Sequence, residues 1–202
     1  MKKIGKKTLI LHIVMLVVLL ALLVTGVTYA VWTTTATATQ DIDIPQTTTN
    51  PSEKYILFSG LDEDGHLTSD PEEIASYAVV GYDGLVANVE IPATHEDVEN
   101  EISPLPVTEI RIDPSIPQNK WLTHNPIITS LVIPSSVTRI ASGVCQDMSL
   151  LESVTLQSGA DELVIEDYAF AFCTRLTTFS SSRTITGSTT YLYGTPSDQA
   201  GA

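Results

Sequence analysis

Val86-Ala-Asn-Val89-Glu-Ile91-Pro92 and Ile128-Thr-Ser-Leu131-Val-Ile133-Pro134 are two copies of one phrase, and their recurrence decides the fold. Leu151-Glu-Ser-Val154-Thr-Leu156 repeats it without the proline, and Leu176-Thr-Thr-Phe179 begins it again. A second phrase follows in turn: Val107-Thr-Glu-Ile110, Val137-Thr-Arg-Ile140 and, more loosely, Leu163-Val-Ile165. The separation from Ile140 to Val154 equals that from Ile165 to Phe179. Self-similarity at a spacing of about 20–50 residues marks a stacked repeat. Such a fold exposes a long surface in place of a single deep cleft.

Alternation with period two puts Leu131 with Ile133, and Val154 with Leu156, on one face of each strand. Rungs stacked about 4.8 Å apart satisfy one another's backbone groups. One repeat alone cannot bury its apolar side, so neighbours are obligatory. After Ile140, apolar residues fall at Cys145, Met148 and Leu151; after Ile165, at Phe170, Cys173 and Leu176. Leu122 and Asn125 precede Ile128 in the same way, with Trp121 beside them. That spacing of three predicts an apolar stripe on a helical or looping turn.

Outside the repeats, the chain divides by composition. Lys2, Lys3, Lys6 and Lys7 precede an apolar run from Leu9 to Val24, and small residues follow in Thr25-Gly-Val-Thr-Tyr-Ala30. This is the pattern of a secretory signal over residues 1–32. The run continues through Val31 and Trp32, long enough to cross a bilayer core of about 30 Å at about 1.5 Å per residue. A cleaved signal and a retained transmembrane signal-anchor are both open. In either case the basic front keeps the N-terminus inside and sends the remainder out. No cysteine lies near the end of the run, which argues against lipid modification, and the C-terminal residues carry neither an apolar tail nor a wall-sorting motif. Residues 33–52 are threonine-rich and read as a linker, or as a first strand over Thr33–Thr39. Residues 53–84 read as a cap of short strands, 85–180 as the repeats, and 181–202 as a degenerate repeat and tail. Within the cap, Asp62-Glu-Asp-Gly65 is expected to be a turn, because the spacing of a calcium loop is not met. Ser76 to Val80, Gly81-Tyr-Asp-Gly84 and Leu85 to Ile91 read as strand, tight turn and strand, a hairpin covering the first rung.

At formal net charge −14, with 24 Asp and Glu against 10 Lys and Arg, the chain is poorly suited to nucleic acid. Setting the four N-terminal lysines aside makes the exported part more acidic still, suited to solubility, cations or basic partner surfaces.

The repeats resemble the BspA-type leucine-rich-repeat family of bacterial surface proteins. The residues that carry the likeness are Val137-Thr-Arg-Ile140, Ile128 to Pro134 with Ser135-Ser136, and Asp167-Tyr-Ala-Phe170 with Cys173 and Leu176. Tyr77 to Gly84 through Ile91-Pro92 is similar to that family's opening hairpin, and the likeness spans roughly residues 77–180. It implies an N-terminally capped, β-rich leucine-rich-repeat solenoid of α/β repeats. It also implies a non-catalytic role in protein binding or adhesion at the cell surface. Tyr29-Ala-Val-Trp32 with the Thr-rich sequence after it resembles the export signals of secreted biofilm-matrix proteins. The alternative is accordingly a structural component of an extracellular matrix, assembling through solenoid ends. The expected partners are the membrane, through the N-terminal helix, and a protein or a host or matrix surface ligand.

Candidate sites are few. Cys145 and Cys173 occupy apolar positions of adjacent repeats and read as buried thiols, with a disulfide the other option. His66, His95 and His124 are scattered rather than clustered at ligand spacing, so neither metal nor cofactor is expected. No phosphate loop, serine elbow or carboxylate pair stands at catalytic spacing, so an enzyme is not expected. The sharpest candidate is the insertion His95-Glu-Asp-Val-Glu-Asn-Glu101, whose Glu96, Asp97, Glu99 and Glu101 form an acidic loop suited to a cation or a basic partner.

Overall fold

Each rung of the chain lays down one strand in each of two parallel sheets. The computed structural model describes residues 50–159 and 161–201. The signal or anchor segment of residues 1–32 and the linker up to residue 49 lie outside the described residues. Among the described residues, no helix is long and apolar enough to cross a membrane. The strands are β1 (Ile56–Leu61), β2 (Leu67–Thr68), β3 (Ser76–Tyr82), β4 (Asn88–Glu90), β5 (Thr94–Asp97) and β6 (Ile102–Ile110). They continue with β7 (Ser130–Ile133), β8 (Arg139–Ile140), β9 (Ser153–Leu156), β10 (Leu163–Ile165), β11 (Thr178–Ser181) and β12 (Ile185–Gly187). One sheet runs β12-β10-β8-β6-β3-β1-β2, with β5 paired to β6; the other runs β11-β9-β7-β4.

The register places equivalent residues above one another. Val89, Leu131, Val154 and Phe179 form one column of the four-stranded sheet. Val79, Ile110, Ile140 and Ile165 form the matching column of the larger sheet. These two columns, with Ile133, Leu156 and Leu163, meet in a single dry interior. Leu131, Val154, Ile110, Ile140 and Ile165 are all buried there, and Phe179 packs against the same cluster. This is the β-rich repeat solenoid expected from the phrase at Ile128 to Pro134.

The segments linking the sheets on the outer side are not helical. Among the described residues the helices are 3-10 pieces at Glu53–Tyr55, Gln118–Lys120 and Pro196–Gly201. The expected helical stripe is instead a chain of tight turns, closed by bonds such as Gln146 N–H to the Gly143 carbonyl and Leu176 N–H to the Cys173 carbonyl. Left-handed residues at His124, Asp147 and Phe172 break any helix at that point. The turns still bury Cys145, Met148, Leu151, Phe170, Cys173 and Leu176. They also ladder from rung to rung: Cys145 N–H reaches the Ala169 carbonyl at 2.8 Å, and Phe170 N–H the Tyr191 carbonyl at 2.8 Å.

The cap differs from the one expected. β3 and β4 do not form a hairpin; β4 lies in the other sheet, parallel to β7. The antiparallel closure comes from β1, which pairs with β3 and, through the Asp62–Gly65 turn, with β2. Asp62 Oδ1 accepts from the N–H groups of Asp64 and His66, fixing that turn. Gly84 serves close packing, not a left-handed turn: a Cβ there would lie 2.4 Å from the Tyr82 hydroxyl and 2.7 Å from the Tyr55 Cβ.

The end of the expected linker belongs to the fold. Ser52 is buried, its Oγ accepts the Glu90 N–H at 3.1 Å, and Asn50 Nδ2 donates to the Glu90 carbonyl. Together they cover the outer edge of β4. At the other end, residues 185–195 form a further rung: β12 pairs with β10, and Phe172 N–H donates to the Tyr193 carbonyl at 2.9 Å.

Candidate functional site

The insertion holding the four acidic candidates folds as a β-hairpin, β5 against β6, leaving the solenoid between its first and second sheet columns. Prolines at 104 and 106 and the exposed Ser103 suit this outer strand, where a missing N–H is tolerated. Asp97 closes the tip. Its carboxylate accepts the Asn100 backbone N–H at 3.1 Å and the Asn100 side-chain amide at 2.8 Å. Those bonds, led by the Asn100 side chain, hold the Asp97 carboxyl below its ordinary value. Glu101 adopts φ 57° just beyond, completing the reversal.

The four carboxylates therefore do not converge. Asp97 is half-buried and committed to the tip, whereas Glu96, Glu99 and Glu101 are exposed. Val98 stands among them 75% exposed, an apolar residue that contributes nothing to the core. Among the described residues, no group of His, Cys, Asp and Glu is placed to hold a metal ion.

Sequence reasoning missed the base of the hairpin. His95 stacks on Phe58 with centroids 3.9 Å apart, and the edge of Tyr77 meets the same ring at 4.8 Å. Partial burial between them pushes the imidazole below its ordinary value, against the pull of Asp97 and Glu53. A groove of about 660 Å³ opens on one side of His95, lined by Asn50, Glu53, Lys54, Phe58, Glu96 and Val98. A second groove of about 470 Å³, on the cap side, includes Ser59, Tyr77, Asp97 and Asp113. Burial works against ionisation of Asp113, but hydrogen bonds from Ser59 Oγ and the Ser115 N–H outweigh it and keep the carboxyl below its ordinary value. No local motif announces this cluster, because Phe58, Tyr77 and His95 come from β1, β3 and β5. His66 and His124 lie elsewhere, His66 beside Asp62 at 3.5 Å and His124 beside Asp147 at 3.3 Å.

Both cysteines are free and buried in the core. Cys173 Sγ donates to the Cys145 carbonyl at 3.1 Å, so the thiol links adjacent rungs without a covalent bond. Burial pushes the Cys173 thiol up to about 12 and raises Cys145 well above its ordinary value. Above an unfolded-state value of 9.0, the unfolded chain loses these protons while the folded chain keeps them. Folding stability then falls by about 1.4 kcal/mol per pH unit for each thiol. Between pH 9 and about pH 10.5, wild type should lose stability faster than Cys173→Ala in parallel urea titrations. At pH 8 neither thiol should react with a disulfide reagent until denaturant is added.

No family model matches the chain, and no curated protein matches it. Two solved structures are similar. A leucine-rich cell surface protein from Faecalibacterium prausnitzii is 23% identical, with a TM-score of 0.46, over 63% of this chain and 29% of that one. A leucine-rich repeat protein from Bacteroides capillosus is 20% identical, with a TM-score of 0.40, over 56% of this chain and 88% of that one. The chain spans less than a third of the first, at 29% of its length. These likenesses are too distant to carry either name across. What the described residues define is a class of fold, a β-rich solenoid of stacked repeats bearing a projecting hairpin.

Proposed function

We propose that this chain is an exported, non-catalytic binding module of the leucine-rich-repeat type, which captures a protein or matrix ligand at the cell surface. The projecting hairpin carries the reading. Within residues 94–106 Leu105 packs against the repeat core, whereas the tip presents Val98 among Glu96, Glu99 and Glu101 beside an open groove. An apolar tip ringed by like charge suits a partner with a basic rim around an apolar pocket. The signal-like N-terminus supports export, whether it is cleaved near Ala30 or kept as an anchor.

The assembly alternative, growth through solenoid ends, finds less support. Head-to-tail stacking needs an open N-terminal edge, and there β1 and β2 close one sheet while Asn50 and Ser52 cover β4. A capture experiment tests the preferred reading. The exported part should retrieve a partner from surface extracts, and Glu96→Gln with Val98→Ser, Glu99→Gln and Glu101→Gln should abolish retrieval. Asp97 is left intact because it holds the tip. Undiminished retrieval by this variant would remove the hairpin as the binding surface.

A further inference from the structure

Three exposed aromatic residues form a second surface on the outer turns, independent of the hairpin. Tyr193 meets Tyr168 and Phe172 edge-on, with centroids 5.9 Å and 5.5 Å apart and interplanar angles of 89° in both pairs. Their exposures are 51% for Tyr193, 44% for Tyr168 and 41% for Phe172.

The backbone beneath two of them is in the left-handed region, φ 58° at both Tyr168 and Phe172. Tyr168 is the third residue of a turn closed by the Ala169 N–H on the Glu166 carbonyl, and Phe172 takes the same left-handed angle between Ala171 and Cys173. That turn position favours glycine or asparagine, and bulky residues there are outliers. The other rungs place polar residues or glycine there. Gly143 stands where Tyr168 does, with φ 63°, and His124, Asp147 and Gly194 stand where Phe172 does. Tyr168 and Phe172 therefore occupy left-handed, solvent-facing positions that other rungs fill with Gly143, His124, Asp147 and Gly194. A left-handed backbone retained beneath two solvent-facing rings points to function.

Charge identifies the ligand. Glu166 and Asp167, immediately before Tyr168, line a shallow groove of about 380 Å³ with Ser142, Gly187 and Ser188. Asp147 bonds through its N–H to the Ala171 carbonyl, next to Phe172. The neighbouring cations are already engaged: Arg139 with Glu109 and Glu166, Arg175 with Glu152, and His124 with Asp147. Among the described residues, the Asp167 carboxylate is met by the hydroxyls of Ser188 and Thr190 and by no cation. Aromatic faces beside carboxylates attract Lys and Arg side chains, whose stems lie on the rings while their heads reach the acids. We infer that the Tyr168–Phe172–Tyr193 surface, with the adjoining Glu166–Asp167 groove, binds a lysine- or arginine-rich segment of another protein. A second copy of this acidic chain is a poor occupant on the same ground.

The test uses the full chain, a fluorescent lysine- and arginine-rich peptide as probe, and two glycine variants that keep net charge. Phe172→Gly and Tyr168→Gly should each weaken peptide binding at least tenfold while leaving Tm unchanged or raised, because glycine relieves the left-handed strain. Asp167→Asn should weaken binding too, and the hairpin variant described above should bind the peptide as wild type does. Unchanged affinity in both glycine variants would overturn the proposal, as would a Tm lowered by several degrees, which would make the rings structural. A neutral oligosaccharide bound in place of the peptide, and lost in the same variants, would overturn the cationic assignment.

Discussion

Phe170→Ala should destabilise the fold by about 3–5 kcal/mol, the range for deleting a fully buried aromatic side chain. Phe170 is 0% exposed and meets Phe179 edge-on at 5.6 Å, and Phe179 packs in turn on Tyr191 at 5.6 Å. The ring thus joins the outer turn of one rung to the sheet column and to the rung beyond. Truncation leaves a cavity that neither rigid sheet can collapse to fill. Urea unfolding followed by circular dichroism measures it, and a loss below about 1 kcal/mol would contradict the packing described. Phe172→Ala, two residues along, supplies the contrast: its ring is exposed, and its removal should cost far less.

The second large effect is expected at Arg183. This side chain is 6% exposed, and its partners are backbone carbonyls instead of carboxylates. Nη1 donates to the Val137 carbonyl at 2.8 Å, while Nη2 and Nε donate to the Asp161 carbonyl at 3.2 Å and 3.3 Å. One guanidinium therefore fastens the turn before β8, the turn before β10 and the turn before β12. Arg183→Met keeps the apolar stem but leaves both carbonyls without these donors, at about 2–4 kcal/mol. Arg183→Lys should recover less than half of that, because an ammonium cannot reproduce the planar fork. Equal stability of the lysine variant and wild type, by the same urea titration, would show that the fork is dispensable.

The stack was legible because alternation is a direct physical code. Leu131, Val154 and Phe179 recur at the same place in the strand phrase, and the register puts them in one column. The Asp62–Gly65 turn was equally readable, since Asp62 bonds its own backbone two and four residues on. The misplaced hairpin shows where such reading stops. Asp83-Gly84 looks like a turn signal, but glycine has two uses, and here it admits the Tyr82 ring. Nothing local distinguishes the two. Spacing of three misled in a similar way: Cys145, Met148 and Leu151 are buried by a succession of tight turns whose left-handed residues only the backbone reveals.

Residues 181–202 read as a degenerate repeat because Ser180–Ile185 and Tyr191–Gly194 keep only a faint copy of the phrases, and in the structure Gly187 stands where Ile140 and Ile165 fill the column. The backbone nevertheless continues the ladder. Both functional surfaces were partly hidden for a related reason. The acidic run at 96–101 is visible in sequence, whereas the commitment of Asp97 to Asn100 and the stacking of His95 on Phe58 depend on pairing across the fold. Tyr168, Phe172 and Tyr193 carry no signal in the sequence, because only the fold reveals their exposure and backbone angles.

Nuclear Overhauser contacts in the isotope-labelled exported part probe the stacking of rungs most directly. Val154 methyl protons should show contacts both to Leu131 methyls and to the Phe179 ring, with no direct contact between Leu131 and Phe179. Val154 contacting neither partner, or Phe179 seeing only residues near it in sequence, would contradict the solenoid.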